Sequence, residues 1–224
     1  MKMMRKSWIC LVLILLSTPV IYCQDISSYR KFSLGTSLVA LSKQVGQEPQ
    51  QATLIHQSPA VIQQLTFWPA PSSSFSVRAE SVSQILFNFY NGELYRIVAT
   101  YDQDATKGLT DDDMVQAISS RYGVATRLYP EIELPTNDAY APADRLIARW
   151  GDSADSATLF RSSSLGSFEL SVFSKSLDAQ AEAASAESLI LEKQEAPQKE
   201  IDRQKSEAGK LEAARLKNRK AFRP

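Results

Sequence analysis

The sequence predicts an α+β fold of two small modules, each a helix followed by a three-stranded antiparallel sheet, and then a long charged helix at the C-terminus. Three observations support this prediction. Two apolar runs meet at Asn91-Gly92, a dipeptide typical of tight β-hairpins. The order of elements around this hairpin recurs in the second half of the chain. Residues 177–220 lack aromatic side chains and are rich in Ala, Glu, Lys and Gln, which favour helix.

The first 23 residues have the composition of a secretory signal peptide. Three basic residues precede a short apolar run, Trp8–Leu16, and a cleavage region follows it. This run is shorter than the ~20 apolar residues of a transmembrane helix. We therefore expect an exported protein, periplasmic or extracellular, without a transmembrane span in the mature chain.

Cys23 offers a second way to end the signal. Lipidation of Cys23 would tie the mature protein to a membrane, but the preceding Tyr22 fits a lipoprotein site poorly. Cleavage after Cys23 is favoured, and it makes Gln24 the first residue. Because the other cysteine, Cys10, lies within the signal, the mature chain then has no disulfide and no thiolate chemistry.

The composition divides the chain into four segments. They are the signal peptide 1–23, a first α+β module 24–106, a second α+β module 107–176 and a polar helical tail 177–224. Without the signal, the chain has 22 basic and 25 acidic residues, and residues 24–176 have 12 basic and 16 acidic residues. Phosphate binding needs a basic patch, so this balance argues against nucleic acid as the partner of the folded part.

The first module begins with a short helix. Ser37 supplies a capping hydroxyl, apolar residues recur at helical spacing over 38–45, and Gly46 ends the helix. A strand is predicted over 61–68, before a loop rich in proline and serine. The hairpin over Ile85–Asp102 supplies two further strands.

The hairpin has two alternative registers. A two-residue turn pairs Phe87 with Arg96. A three-residue turn with a glycine bulge shifts the pairing by one residue, so that Phe87 and Phe89 share a face with Tyr95 and Ile97. The second register is preferred because it removes Arg96 from the phenylalanine face. Aromatic residues at strand spacing are usually core, so we interpret the hairpin as mid-sheet, covered on one face and partly covered on the other.

The second module repeats this order of elements. A helix begins at Thr110 and ends at Gly123, and its apolar residues share one face: Met114, Val115, Ile118 and Tyr122. Three alternating segments are predicted as strands: Asp144–Trp150, Ala157–Arg161 and Phe168–Phe173. The shared order, with residues 38–46 aligned on 115–123, indicates an internal pseudo-repeat.

The tail is predicted as helix. Pro197 lacks a backbone donor, so it predicts a kink or a second helix that begins there. One stripe is expected to pack on the sheets: Leu177, Ala181, Ala184, Ser188 and Leu191. Ion pairs are expected at helical spacing: Glu195–Lys199, Glu200–Arg203, Asp202–Lys205, Glu207–Lys210 and Glu212–Arg215.

Beyond Pro197 the apolar stripe of the tail thins. The tail is therefore a weak candidate for a coiled coil, and a mostly solvated helix is favoured. Lys210–Arg223 has six basic residues against Glu212 alone. Such a segment can contact an anionic surface or an acidic protein, but solvation is the commoner outcome.

A calcium site is one hypothesis for the stretch DQDATKGLTDDD. Asp102, Asp104 and Asp113 occupy positions that resemble a calcium-binding loop. The glycine, Gly108, comes one position late, and a strand precedes the loop where a helix is expected. Capping explains the same residues, since Thr110 and Asp113 form a capping pair and acidic residues favour a helix N-terminus. We prefer capping and keep calcium as the alternative.

Catalytic candidates are sparse. His56 is the sole histidine, no nucleophile-elbow motif is present, and one histidine without a mature cysteine does not make a conventional zinc site. His56 is interpreted as structural. Glu131 and Glu133 are candidate paired carboxylates for glycoside chemistry, but they are predicted to lie in a proline-flanked loop. We expect no catalytic site and no cofactor.

The glycine-hydroxyl helix start, the glycine stop and the following strands give residues 34–101 a likeness to a known family. This module resembles the small outer-membrane-assembly lipoproteins of the BamE/SmpA type, whose fold is a helical segment followed by a three-stranded antiparallel sheet. Taken as a whole, the sequence favours a non-catalytic exported envelope or periplasmic protein that binds a protein partner or the envelope surface. An enzyme with a site outside known motifs and a calcium-dependent exported module are the alternatives.

Overall fold

The computed structural model describes residues 25–69, 81–134, 144–163, 166–221 and 223, and it has an α+β fold. Within these ranges there are three helices: α1, Leu38–Val45; α2, Asp111–Tyr122; and α3, Lys175–Ala221. The same ranges contain ten strands: β1, Ser28–Tyr29; β2, Phe32–Ser33; β3, Thr53–His56; β4, Ile62–Phe67; β5, Val82–Tyr90; β6, Glu93–Tyr101; β7, Thr126–Leu134; β8, Asp144–Gly151; β9, Asp155–Arg161; and β10, Phe168–Ser174. The 3₁₀ turn Pro49–Gln51 joins α1 to β3.

Eight of these strands form one antiparallel sheet, and β1 and β2 form a separate small hairpin. The order in the large sheet is β3-β4-β5-β6-β10-β9-β8-β7. The last strands of the two modules, β6 and β10, pair with each other at the centre, for example Ala99 with Leu170. The second half of the sheet therefore repeats the order of the first half in reverse.

Within the large sheet, each module has one strand more than the sequence predicts, and the first module also contains the β1-β2 hairpin. The added strands, β3 and β7, lie at the two outer edges of the sheet. β3 has mostly exposed residues and β7 contains Pro130 beside a register shift, features that obscure a strand pattern. The loop prediction for Glu131 and Glu133 is wrong because both residues lie in β7.

The hairpin combines the two predicted registers. Asn91 and Gly92 have positive φ angles of 50° and 83°, as a two-residue turn requires. Phe89 therefore pairs with Leu94, but a shift beyond this pair places Phe87 opposite Ile97. The prediction that Ile97 lies on the same face as Phe87 is confirmed. The expected position of Tyr95 is wrong, since it packs in the cluster on the opposite side of the sheet.

The sheet has two different faces. Face A carries Leu65, Phe87, Ile97, Leu170 and Trp150, and these side chains form one core with the buried side chains of α1 and α2. Face B carries Ile62, Tyr90, Arg96 and Phe173, and α3 packs on part of it. The prediction that the hairpin lies mid-sheet with one covered and one partly covered face is confirmed.

Capping residues hold the face A helices as predicted. The Ser37 hydroxyl accepts from the Ala40 N–H, and Gly46 ends α1 at φ 71°. Thr110 and Asp113 form a reciprocal capping box at the start of α2. On β8, the Trp150 Nε1–H donates to the Gly123 carbonyl at 3.0 Å, so the end of α2 is fastened to the sheet.

Tyr122 fastens α2 to the N-terminal hairpin. Its hydroxyl donates to the Ser28 carbonyl at 2.8 Å, and burial raises the pKa of Tyr122 to about 12. We expect Tyr122→Phe to lower the free energy of unfolding by about 1 kcal/mol, because it leaves a buried carbonyl without its donor. Denaturant titration at neutral pH measures this loss.

Because the folded-state pKa of Tyr122 exceeds the unfolded value of 10.0, its contribution is complete below pH ~10 and is lost as the pH rises toward 12. The Tyr122→Phe difference should therefore shrink over that interval. Tyr90→Phe is the matched control, since Tyr90 is half-buried on face B. An equal loss in both variants would contradict the role of the Ser28 hydrogen bond.

Candidate interaction site

The first part of α3 packs across face B of the first module. We call residues 175–192 the base of α3. Ala181 and Ala184 contact a cluster formed by Ala60, Ile62 and Tyr95. The predicted stripe is confirmed, because its residues are buried or half-buried: Leu177, Ala181, Ala184, Ser188 and Leu191. The small residues of the stripe, Ala181, Ala184 and Ser188, allow the helix to approach the sheet closely.

An ion pair fixes the beginning of the base. Arg96 on β6 donates from Nε to Asp178 Oδ1 at 2.7 Å, and its Nη2 lies 3.3 Å from Glu182 Oε1. The Arg96 guanidinium also lies over the Phe173 ring, 5.4 Å from its centroid. Burial raises the pKa of Asp178, although Arg96 acts in the opposite direction. Asp178 is only 6% exposed, so its carboxylate depends on Arg96 for compensation.

A hydrogen bond fixes the end of the base. Ser188 Oγ lies 3.0 Å from His56 Nδ1, and Glu192 Oε1 lies 3.5 Å from the same nitrogen. A serine-histidine-acid triad needs the serine and the acid on opposite ring nitrogens. Because both groups approach Nδ1, this arrangement joins α3 to edge strand β3 and has no triad geometry. The sequence suggests that His56 lies at the entry to a strand, but it is the last residue of β3.

A shallow pocket lies between the base and the turn that precedes β4. Its volume is about 330 Å³, and its lining is mainly apolar with two polar side chains: Pro59, Ala60, Tyr90, Gln180, Ala183, Ala184 and Glu187. The aromatic ring and the small side chains suit an aliphatic stem, and Glu187 adds a carboxylate at the rim. This combination suits the side chain of a lysine or an arginine.

The remainder of α3 projects from the folded modules. We call residues 193–221 the arm, and each of them is exposed. The helix continues through Pro197. Of the two predicted alternatives, a second helix that begins at Pro197 is therefore not observed. The arm is about 43 Å long at a rise of ~1.5 Å per residue. The prediction of a helical tail that is mostly solvated is confirmed.

Ion pairs along the arm partly follow the predicted spacing. Glu195–Lys199, Glu200–Arg203 and Glu212–Arg215 are present. Glu207 instead contacts Arg203 at 2.7 Å, so Arg203 is shared between two carboxylates. Such pairs are the main local support for a helix that is polar around most of its circumference.

The residues of the calcium hypothesis hold backbone groups. Asp102 Oδ1 accepts from the Ala105 N–H at 2.9 Å, and Asp113 Oδ2 accepts from the Thr110 N–H at 2.8 Å. Hydrogen bonds from the Thr110 hydroxyl and the Thr110 N–H lower the pKa of Asp113. Asp104 lies in the turn between them, and its carbonyl accepts from the Lys107 N–H. Over the part of the chain that the structure describes, acidic, histidine and cysteine side chains form no group of three suited to a metal ion.

Other sequence predictions concern residues outside the described ranges. Cys23 and the signal peptide 1–23 lie there. Within the described ranges, none of the helices combines the length and apolar character that a membrane crossing requires.

The contacts that place α3 are the functional feature that sequence reasoning missed. In the sequence, Arg96 is considered only because it should not lie on the same face as the phenylalanines. Asp178 is considered only as one of the acidic residues of the polar tail. An ion pair of this kind is indicated by two features together. One is a basic residue inside an apolar strand, and the other is an acidic residue beside the packed stripe of a helix. The contact between His56 and Ser188 is indicated more weakly by the sequence, because both side chains are polar groups without a distinctive pattern around them.

Comparisons with known proteins do not add a family. No family model matches the chain, and neither a curated protein nor a solved structure matches it. The site must therefore be interpreted from its own geometry.

Proposed function

We propose that this protein is a non-catalytic binding module of the cell envelope, exported by its N-terminal signal, in which α3 contacts a protein partner or the envelope surface. One observation carries the proposal: a continuous helix is docked on the sheet by its base and extends 29 exposed residues beyond it. An isolated helix is marginally stable in water, and a tertiary contact at one end supplies the nucleus that the arm needs. The folded modules therefore hold the base of α3 in place, and the arm extends from it.

The exposed apolar residues of α3 support this assignment. Leu189, Ile190, Ile201, Leu211 and Leu216 are each more than 40% exposed. The large apolar side chains of α1 and α2 instead lie mainly in the core. Apolar residues that recur along a projecting helix are typical of an interaction surface. The sequence resemblance to outer-membrane-assembly lipoproteins is consistent with the same role.

Photo-crosslinking in the native envelope tests the proposal. A photoreactive amino acid replaces Leu211 on the arm, which is 73% exposed, and in a matched control it replaces Val39 on α1, which is 66% exposed. We expect a discrete crosslinked product from position 211 and none from position 39. Because the two positions are similarly exposed, a difference in crosslinking reports their location on the protein.

Two outcomes would contradict the proposal. Crosslinking from position 39 alone would place the binding surface on the modules. The absence of a product at both positions, with the protein folded and present in the envelope, would remove the support for a binding role of the arm.

A further inference from the structure

One side of α3 carries an uncharged line of residues that faces away from the modules. Its members follow a spacing of three and four residues: Ala179, Ala183, Ala186, Ile190, Gln194, Pro197, Ile201, Gln204, Ala208 and Leu211. We call these ten residues the seam. All ten are exposed, and between Ala179 and Leu211 the other 23 residues include 12 charged ones. The packed stripe of the base is also uncharged, but it ends at Leu191, whereas the seam is uncharged from Ala179 to Leu211.

The seam does not coincide with the packed stripe of the base. At 100° per residue, Ile190 and Ile201 point in nearly the same direction, whereas Ala181 and Ser188 point to the opposite side. Ala181 and Ser188 are buried against the sheet, and Ile190 and Ile201 are 56% and 46% exposed. A second helix can thus lie along the seam without displacing the base.

Charge is distributed unevenly along α3. Residues 178–195 carry five acidic side chains and one basic one, Lys193, while residues 210–223 carry six basic side chains and one acidic one, Glu212. Two such helices in parallel would place like charges side by side at both ends. In an antiparallel pair, the basic end of each helix would lie beside the acidic end of the other.

We propose that α3 binds α3 of a second copy of this chain, antiparallel, along the seam and with Ile201 at the twofold axis. The inference rests on the proposed binding role of α3 and names its partner. Glu187 and Arg215 each lie 14 residues from Ile201, about 21 Å along the helix. The antiparallel pair therefore brings Arg215 of one copy beside Glu187 of the other.

The pocket at the base fits this arrangement. Glu187 lines it together with Tyr90 and Ala183. Ala183 belongs to the seam, so a helix that follows the seam passes the mouth of the pocket. A basic side chain near the end of the second α3 can place its aliphatic stem against the Tyr90 ring and its charge beside Glu187. The modules of the two copies lie on opposite outer sides of the helix pair.

The test begins with the molar mass of the chain from Gln24 to Pro224, measured by sedimentation equilibrium. We expect a dimer that Ile201→Asp weakens by roughly a hundredfold in Kd, because two isoleucines leave the centre of the contact. Ser206→Asp is the matched control, since Ser206 is also exposed on the arm but lies off the seam. It should leave the mass unchanged.

Orientation is tested with two single-cysteine variants, Ile190→Cys and Leu211→Cys, because residues 24–224 contain no other cysteine. An antiparallel pair predicts that a mixture of the two forms a disulfide between the different variants. A parallel pair would instead join each variant to itself, and that result would overturn the proposal. Glu187→Arg should weaken the dimer roughly tenfold, and adding Arg215→Glu should restore it.

A monomer at every concentration would also overturn the proposal. A monomer that sediments with phosphatidylserine vesicles would assign the basic end to lipid instead of a second copy. If the chain is monomeric but position 211 still crosslinks to a different protein, the inference of self-association fails while the proposed binding function stands.

Discussion

Phe87→Ala is expected to lower the free energy of unfolding by about 4 kcal/mol. Phe87 is fully buried at the middle of the sheet, where its ring packs edge-to-face on Phe32 with the centroids 4.8 Å apart. The substitution opens a cavity between the large sheet and the β1-β2 hairpin, and the surrounding strands cannot close it without losing their register. Denaturant titration followed by tryptophan fluorescence measures the loss.

Leu86→Ala is the control for this variant. Leu86 is the neighbouring residue in the same strand but is half-buried on face B. Its loss should be about 1 kcal/mol, because less apolar area returns to water. Similar losses for the two variants would contradict the assignment of the main core to face A.

Arg96→Met is expected to destabilise the docked base of α3 by about 2 kcal/mol at neutral pH. The substitution keeps the aliphatic stem beside Phe173 but leaves the Asp178 carboxylate buried without its cation. Hydrogen exchange of the amides in residues 181–188 reports the opening of this segment directly. The double variant Arg96→Met with Asp178→Leu should recover stability, since it removes both the charge and its partner.

The pH dependence of the Arg96→Met effect has a defined sign. Burial already raises the pKa of Asp178, and Arg96 opposes that rise, so removing Arg96 raises the pKa further. A raised carboxyl pKa favours the folded state as the pH falls. The deficit relative to the unsubstituted protein should therefore be complete at neutral pH and shrink as the pH falls through the folded pKa. A deficit that grows on acidification would contradict this account.

Much of the fold is predictable from local signals. The caps at Ser37 and Thr110, the stops at Gly46 and Gly123 and the turn at Asn91-Gly92 each act within a few residues, so the sequence specifies them directly. The edge strands β3 and β7 are less visible, because their pairing depends on a neighbouring strand more than on their own apolar pattern. The bulge at Tyr95 is also outside local rules.

The candidate site is harder to predict for the same reason. Arg96 and Asp178 are separated by 82 residues in the chain, and His56 and Ser188 by 132. Only the order of strands in the sheet brings these residues together. The stripe of small residues shows that one side of α3 packs on something, but nothing in the stripe specifies which module lies beneath it.

The pairing of β6 with β10 bears on the ancestry of the protein. A single module whose last strand paired with the same strand of an identical chain would form the same eight-stranded sheet as a homodimer. The chain has the layout of such a dimer joined into one polypeptide. In one polypeptide the two halves can have different sequences and carry different additional elements. α3 is such an element. It follows the second half in the chain, yet its base packs on residues of the first half, whereas a homodimer of identical chains would carry two such helices.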